Sequence, residues 1–479
     1  MRPCELFRYA DTCFAYHLGL GKCLAVSTDA FAYLTLRQSL SRPEAERTFR
    51  AERPDASRTL AEVAQLEDAG FFDPVETAFA DDRTFDAALE RHYAASWSRL
   101  ELSVSERCNL ACRYCYCGTC RDEVPNGGLM SVETARRAIE WLFAHSGRDD
   151  VTLTFFGGEP LLNKDVLKAS VALCDRLAAE RGVRAEYVMT TNATLLDDET
   201  VDLIRSHDFG LMVSLDGPRE LHDAQCPTRD GRGSWDAAVA GIRRLMAKRR
   251  RLTVRCTMAH PVPDELKLVR FFDDFGFSRI VLGPVENPLF PSVCDFTDDD
   301  RREEARQRET AIIPWMLAEC AAGREPKYNP FEDLEADLRR PDAPEPSPFR
   351  CGACHGTTTV GADGALYPCH RFVGMKDWTV GTLADGPDLE RCKQFWRDYR
   401  AAVQGACSRC WAYRLCGGPC PWSMAKKDGS FALDERFCEN TKRWIRQGAW
   451  YLDLKRKQQK GTNPCSPEET CSPQSPSAR

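Results

Sequence analysis

The chain has 479 residues, of which 43% are apolar and 29% charged, with a formal net charge of -7. That length leaves room for roughly two to four domains with a buried core. An acidic balance without a basic, aromatic-laced stripe excludes a nucleic-acid surface. No run of about 18 apolar residues and no signal-peptide core occur, which reads as a cytoplasmic protein with no membrane span. In a reducing compartment its 24 cysteines read as metal ligands and free thiols.

Residues 1–97 read as a module of their own. Residues 14–17, a glycine-containing turn at 18–21 and residues 23–27 have the pattern of a hairpin. Thr28 is placed to cap a helix carrying Phe31, Leu34 and Leu36, and a further helical pattern runs over 59–66.

From about residue 98 to 285, short apolar runs alternate with amphipathic helical patterns. The runs are 100–104, 151–156, 185–190, 211–215, 252–258 and 279–284. Ser131 is placed to cap a helix over 131–146 with Ile139, Leu142 and Phe143 on one face and Gly147 as its stop. Residues 164–181 repeat the pattern with Val166, Leu167, Val171, Leu173 and Leu177. The basic residues 248–251 close another helix as a solvated last turn. Six strand–helix units in series predict an α/β fold with a parallel sheet, barrel-like or doubly wound. Such sheets bind ligands at the C-terminal ends of their strands.

The residues at those ends carry the chemistry. Cys108, Cys112 and Cys115, spaced x3 and x2, follow the first strand. Three thiolates hold three corners of a four-iron cube and leave the fourth iron open to a small chelating molecule. At this cysteine frequency the spacing turns up by chance in roughly 6% of such chains, so its context has to decide. Gly157, Gly158, Glu159 and Pro160 end the second strand, where paired glycines let a backbone come close to a ligand. Thr191 and Asn192 end the third. Ser214 and Asp216, ahead of Gly217, end the fourth and offer a hydroxyl and a carboxylate suited to ribose hydroxyls. Each alone reads as a turn or cap residue; at successive strand ends, in this order, they read as a site.

Residues 98–290 thereby resemble the partial (β/α)6 barrel of the radical S-adenosylmethionine (SAM) superfamily, in a domain taken as 98–325. The resemblance implies a [4Fe–4S] cluster on Cys108, Cys112 and Cys115 whose open iron binds the amino and carboxylate groups of SAM. One electron then cleaves the C5′–S bond, and the 5′-deoxyadenosyl radical takes a hydrogen from substrate. A reductant such as flavodoxin or ferredoxin is implied too. By position, the backbone at Gly157, Gly158 and Glu159 contacts the amino group, Asn192 belongs to the cofactor site, Ser214 and Asp216 contact the ribose, and Tyr114 sits near the adenine. Two departures stand out. Ala193 follows Thr191-Asn192 where relatives usually have glycine. In the run His222-Asp223-Ala224-Gln225-Cys226-Pro227, Cys226 stands where relatives often have arginine, so a charged contact is lost or is supplied by Arg229. Cys117 and Cys120 read as loop thiols, with a shuttle or substrate-linkage site as the alternative.

In the C-terminal third, Cys407, Cys410, Cys416 and Cys420 are spaced x2, x5 and x3, a pattern with a chance frequency of about 0.3%. Cys351, Gly364 and Cys369 lie upstream, spaced x12 and x4, and Cys438 downstream. The pattern resembles the seven-cysteine SPASM domain, taken as 351–445 after a bridging segment 326–350. That domain carries two auxiliary [4Fe–4S] clusters in enzymes acting on peptides and proteins. The resemblance implies a first auxiliary cluster on Cys351, Cys369 and Cys420, with Cys354 the candidate fourth ligand unless that iron is open. It implies a second on Cys407, Cys410, Cys416 and Cys438. Cys-x2-Cys pairs also build zinc ribbons, which are colourless where iron–sulfur clusters are brown. Cys174, Cys256 and Cys320 read as small core residues. Residues 446–479 read as the end of a helix and a disordered tail, rich in Pro, Ser and Thr from 461 and containing Cys465 and Cys471.

The N-terminal module is similar in order and size to the winged-helix module that takes up leader peptides as an added β-strand; an extension packed on the barrel is the other reading. Together the resemblances imply a maturase of a ribosomally made peptide or protein, acting by thioether crosslinking, carbon–carbon crosslinking, or formylglycine formation in sulfatases. Sulfatase maturases typically carry an aspartate, able to act as a base, directly after the second SPASM cysteine. Here His370 follows Cys369, and those maturases usually lack a substantial N-terminal module. The reading is therefore a thioether crosslink, in an architecture like that of maturases of natural-product peptides and of the quinohemoprotein amine dehydrogenase subunit. A non-catalytic iron–sulfur carrier or scaffold is the reading from another class, and the nucleoside-side residues at 157–159 and 214–216 count against it.

Overall fold

The computed structural model describes residues 4–18, 21–53, 55–68, 70–71, 81–95, 97–116, 128–249, 251–286, 289–339 and 351–461. It opens with an antiparallel sheet of β1 (Cys4–Tyr9), β2 (Thr12–His17) and β3 (Lys22–Val26), in that order. The hairpin expected over 14–27 is β2–β3. β1 escaped the sequence reading because Glu5 and Arg8 interrupt its apolar run, yet it pairs in full register from Cys4↔His17 to Tyr9↔Thr12. The central β2 is buried along its whole length.

The Thr28–Arg37 helix is capped one residue earlier than expected, by Ser27, whose hydroxyl accepts the Ala30 N–H at 3.1 Å. Helices Arg42–Glu52, Ala56–Asp68 and Asp82–Ala95 follow. The first of these starts at a capping box between Ser41 and Glu44. Tyr33, Leu34, Phe49 and Val63 close a small core between these helices and the sheet.

The six expected runs are β4 (Arg99–Ser105), β5 (Asp150–Gly157), β6 (Arg184–Thr191), β7 (Gly210–Ser214), β8 (Thr253–Met258) and β9 (Arg279–Pro284). They pair in parallel and in chain order. Ser131 caps Val132–His145 by accepting the Thr134 N–H, and that helix stops at His145, two residues before Gly147. Lys164–Arg181 has the expected bounds and ends on Gly182 at φ +68°, a left-handed position that glycine takes without strain. Leu102, Leu153, Phe155, Met189, Val213 and Val254 pack with Ile139, Leu142 and Leu167 in one continuous core. Each such fully buried side chain stabilises the fold by about 1.5–3 kcal/mol. Cys174 and Cys256 lie in that core as expected, while Cys320 is half-buried.

The sheet does not end at β4. Through Glu101 and Leu102, β4 pairs in parallel with β10 (Thr359–Val360). The sheet then continues antiparallel through β11 (Ala365–Tyr367), β12 (Gly381–Thr382) and β13 (Gly386–Pro387). The second cysteine segment thus grows out of the first barrel strand, a pairing of two-residue strands too short to leave a periodic signal. The described part of the bridging segment carries the Glu332–Arg339 helix, and the final helix runs Glu435–Gly461. Cys117, Cys120, Cys465, Cys471 and the tail from 462 lie outside the described residues. No helix of the described residues is long and apolar enough to cross a membrane.

Candidate active site

Cys108, Cys112 and Cys115 follow β4 on a loop where the Cys108 thiol has Cys112 and Cys115 as neighbours. Two strand ends pin that loop. From the segment after β7, Pro227 O accepts Ala111 N–H (2.8 Å), Gln225 O accepts Arg113 N–H (2.9 Å), and the Arg229 guanidinium donates to Cys108 O (3.1 Å). From the end of β5, Gly158 N–H donates to Ser105 O (2.7 Å) and Glu159 N–H to Arg107 O (2.8 Å). A Cβ on Gly157 would stand 2.1 Å from Ser105 O, and one on Gly158 2.3 Å from Arg107 O. The glycines are thus required by backbone-to-backbone packing against the cysteine loop, a nearer constraint than the ligand approach inferred from sequence.

Glu159 is buried and bridges β5 to β6. Its Oε1 accepts from Leu161 N–H (3.0 Å) and the Thr191 hydroxyl (2.7 Å), and its Oε2 from Asn192 N–H (2.8 Å). Burial pushes this carboxyl up to about 7 against the pull of those donors. The Asn192 side-chain amide donates to Asn109 Oδ1 (3.0 Å) and toward Cys108 Sγ (3.7 Å). Ala193 has φ +63°, a left-handed conformation costing an alanine about 1–2 kcal/mol that a glycine would take without strain.

Tyr114 donates its hydroxyl proton to Asp216 Oδ2 at 2.6 Å, while its ring packs on Ala259, Val285 and Cys294. Asp216 Oδ1 accepts Thr257 N–H (2.9 Å). At 2% exposure both of its oxygens are engaged by protein donors, and burial raises its pKa. Ser214, at the end of β7, is half-buried. Cys226 is buried, with its thiol donating to Asp216 Oδ2 (3.3 Å), 3.2 Å from the Tyr114 hydroxyl and neighbouring Cys112. A neutral thiol thus sits inside the loop, and Arg229 holds the loop from its exposed side.

The C-terminal cysteines form two gatherings. Cys407, Cys410, Cys416 and Cys438 all line one cavity of about 370 Å³, with Trp411, Tyr413 and Pro419. Burial, and then the neighbouring cysteines, push the Cys407 thiol up to about 12. Cys354 has Cys369 and Cys351 as neighbours, and Cys369 has Cys420 and Cys351. Each of these is a free thiol. Several buried thiols in one another's field resist ionising unless a cation joins them, and all-sulfur donor sets suit iron–sulfur clusters. The residues present therefore fit three clusters. Among the described residues, no group of three His, Cys, Asp or Glu is disposed to hold a single metal ion.

Tyr116, directly after Cys115, joins the first cysteine loop to the auxiliary segment. The Arg371 guanidinium lies 4.9 Å over its ring, with Trp422 at 5.9 Å and His370 at 6.1 Å. His370 also lies 4.2 Å from the Phe156 ring, and its Nδ1 is 3.1 Å from Glu101 Oε1. The sequence reading missed Tyr116 and Glu101. The one available signal was that Tyr116 and His370 each directly follow a cysteine of a motif.

Residues 102–273 match the Radical SAM superfamily. The chain carries a radical SAM domain there. It is 22% identical over 362 residues to the cysteine-type anaerobic sulfatase-maturating enzyme of Clostridium novyi (strain NT), covering 72% of this chain and 94% of that protein. Its fold matches native anSMEcpe with bound AdoMet and Cp18Cys peptide at a TM-score of 0.63 and 19% identity, over 75% of this chain and 99% of that one. It matches Streptococcus suis SuiB bound to S-adenosylmethionine at a TM-score of 0.51 and 15% identity, over 91% and 98% of the two chains. The α/β partial barrel is thus the radical SAM fold, and SAM and iron–sulfur clusters are the cofactors of this enzyme.

Proposed function

We propose that this radical SAM enzyme is a maturase of a ribosomally made peptide or protein, joining a cysteine sulfur to a carbon by a thioether crosslink. The observation that carries a maturase reading is the meeting at Tyr116, where Arg371 and Trp422, two residues beyond Cys369 and Cys420, touch the loop of Cys108, Cys112 and Cys115. A side chain held there lies between a radical source and an electron acceptor. The Clostridium novyi sulfatase-maturating enzyme and the peptide-bound anSMEcpe support a polypeptide substrate.

In this reading Cys108, Cys112 and Cys115 hold the first cluster. Cys351, Cys354, Cys369 and Cys420 hold one auxiliary cluster, and Cys407, Cys410, Cys416 and Cys438 the other. Bound SAM and the first cluster supply a 5′-deoxyadenosyl radical for hydrogen abstraction. Gly158 and Glu159 have committed their N–H groups to the cysteine loop, so the 157–159 turn meets an ammonium group through carbonyl oxygens, the polarity it needs. Asn192 steadies Cys108 and Asn109, and Ser214 offers its hydroxyl to the ribose. Asp216 acts through Tyr114, which it fixes beside the adenine position. Residues 98–325 form the barrel and 351–445 the SPASM domain. Residues 1–97 recognise the leader, for which β3 is an edge strand able to accept an added one. The enzyme works in the cytoplasm, with flavodoxin or ferredoxin as reductant.

Crosslinking is preferred because His370 beside Glu101 replaces the aspartate typical of sulfatase maturases, and because an N-terminal sheet precedes the barrel. Formylglycine formation in a sulfatase is the second reading, favoured by the match to 94% of the Clostridium novyi protein. The test is anoxic co-expression with any short peptide encoded beside the gene and, separately, incubation with a sulfatase-derived peptide. A crosslink appears as loss of two hydrogens with a stretch silent to fragmentation. A hydrazine-reactive aldehyde on the sulfatase peptide, with the short peptide unchanged, overturns crosslinking in favour of the second reading. Absence of 5′-deoxyadenosine from the reduced enzyme returns the protein to the carrier class.

A further inference from the structure

We propose that a cavity of about 530 Å³ beside the final helix holds an extended stretch of the polypeptide substrate, where Arg443 pairs with an acidic side chain and the Gln447 side-chain oxygen accepts a backbone N–H. The inference rests on the substrate being a polypeptide, and it names a residue class that the substrate carries.

The cavity lies between the segment after β9, the Asp298–Gln307 helix, residues 419–436 and the Glu435–Gly461 helix. Its volume is within the range of ligand sites, about 300–1,000 Å³. Val285 in its wall also packs on the Tyr114 ring. Pro419, in the same wall, precedes Cys420 and also lines the 370 Å³ cavity. An occupant therefore lies against both the Tyr114 loop and the auxiliary cysteine segment. Two polar groups of the wall are left open. Gln447 is fully buried, and its Nε2 donates to Ala305 O (2.8 Å) and Glu309 Oε1 (2.9 Å). Those two acceptors fix the amide's orientation and leave Oε1 a buried acceptor without a donor. Such a group is costly, and in a ligand-sized cavity its donor comes with the occupant. Among the cations of the wall, Arg301 pairs with Glu286 (3.2 Å), Arg308 with Glu304, and Arg436 with Asp434 (2.7 Å) and Asp298 (3.7 Å). Among the described residues, half-buried Arg443 and exposed Lys426 have no carboxylate within ion-pair distance.

Arg443 shares a face of the final helix with Gln447, four residues on, and with Asn440, three residues before; all three line the cavity. Four residues of helix rise about 6 Å, a length that about two residues of an extended chain span. A peptide along this stripe supplies both missing partners. Its backbone gives an N–H to Gln447 Oε1, and an aspartate or glutamate gives a carboxylate to the planar guanidinium. A small anion such as acetate would satisfy Arg443 and leave Gln447 without a donor. The stripe is also held firmly. Glu309, which fixes Gln447, accepts the Tyr9 hydroxyl from β1 as well, and Trp444 donates its indole N–H to Pro330 O (3.0 Å). Glu309 belongs to the π-helical turn Arg308–Ile312, a turn type frequent at functional sites.

The experiment uses the full chain, reconstituted without oxygen, and short alanine peptides capped at both ends with glutamate, glutamine or lysine at the centre. Equilibrium dialysis read by mass spectrometry measures their retention. The parent is expected to bind the glutamate peptide about tenfold more tightly than the glutamine peptide. Arg443→Glu is expected to turn the preference to the lysine peptide, and Gln447→Leu to weaken the glutamate and glutamine peptides alike. Equal retention of those two peptides by the parent overturns the inference while leaving a polypeptide substrate in place, and this comparison needs no variant to fold. A glutamate preference that survives Arg443→Glu overturns it as well. Competition by acetylglutamate as strong as by the peptide makes the cavity a small-anion site, with the same consequence. Retention of no peptide at all also overturns it, and modification of the peptide encoded beside the gene then shows whether the polypeptide reading falls too.

Discussion

The Tyr114 hydroxyl donates to the buried Asp216 carboxylate at 2.6 Å, fastening the loop of the first cysteine set to the end of β7. Hydrogen bonds to charged groups contribute about 1.5–3 kcal/mol. Tyr114→Phe is therefore expected to keep the cluster and to weaken SAM binding about tenfold, which corresponds to 1.4 kcal/mol. Anoxic equilibrium dialysis checks this; unchanged affinity would show that Asp216 and Tyr114 serve folding alone.

Gly158 has no room for a methyl group, because its Cβ would sit 2.3 Å from Arg107 O and 3.0 Å from Cys108 N. Gly158→Ala must push the cysteine loop aside. The expected outcome is a protein that retains auxiliary iron and loses that of the first cluster, read by iron analysis and by the absence of 5′-deoxyadenosine.

The two cysteine regions are expected to fail independently. Cys112→Ala removes the first cluster and abolishes SAM cleavage. Cys416→Ala, in the wall of the 370 Å³ cavity, removes one auxiliary cluster and leaves SAM cleavage in place. Iron per chain, together with 5′-deoxyadenosine yield, distinguishes the two. SAM cleavage surviving in Cys112→Ala would sink the assignment of the first set.

Glu265 supplies a pH signature remote from the clusters. Burial pushes its carboxyl up from 4.5 to about 7, while Arg308 and the Tyr328 hydroxyl pull the other way. Between those values the folded chain holds a proton that the unfolded chain has released, so stability falls as pH rises through the window, by about 3 kcal/mol. Glu265→Gln is expected to flatten that slope in unfolding midpoints measured from pH 4.5 to 8. A slope identical to the parent's would exclude Glu265 as its source.

Sequence alone was enough to find the motif of Cys108, Cys112 and Cys115, because a spacing within one short loop is local. It was enough to place the six parallel strands as well, because a strand buried on both faces is written as a continuous apolar run. The order of residues at the strand ends, from Cys108 through Gly157 and Asn192 to Ser214, followed from those two facts. Only the tertiary structure decided what surrounds them. It turned the Asp216 carboxylate toward Tyr114 and Thr257, and it set the Gly157 and Gly158 backbone against Ser105 and Arg107. It paired β10 with β4, and it brought Tyr9 from before the barrel to Glu309 after β9. These contacts join single side chains or two-residue strands from distant parts of the chain. Such contacts impose no repeat on the sequence, and only the packed fold brings their partners together.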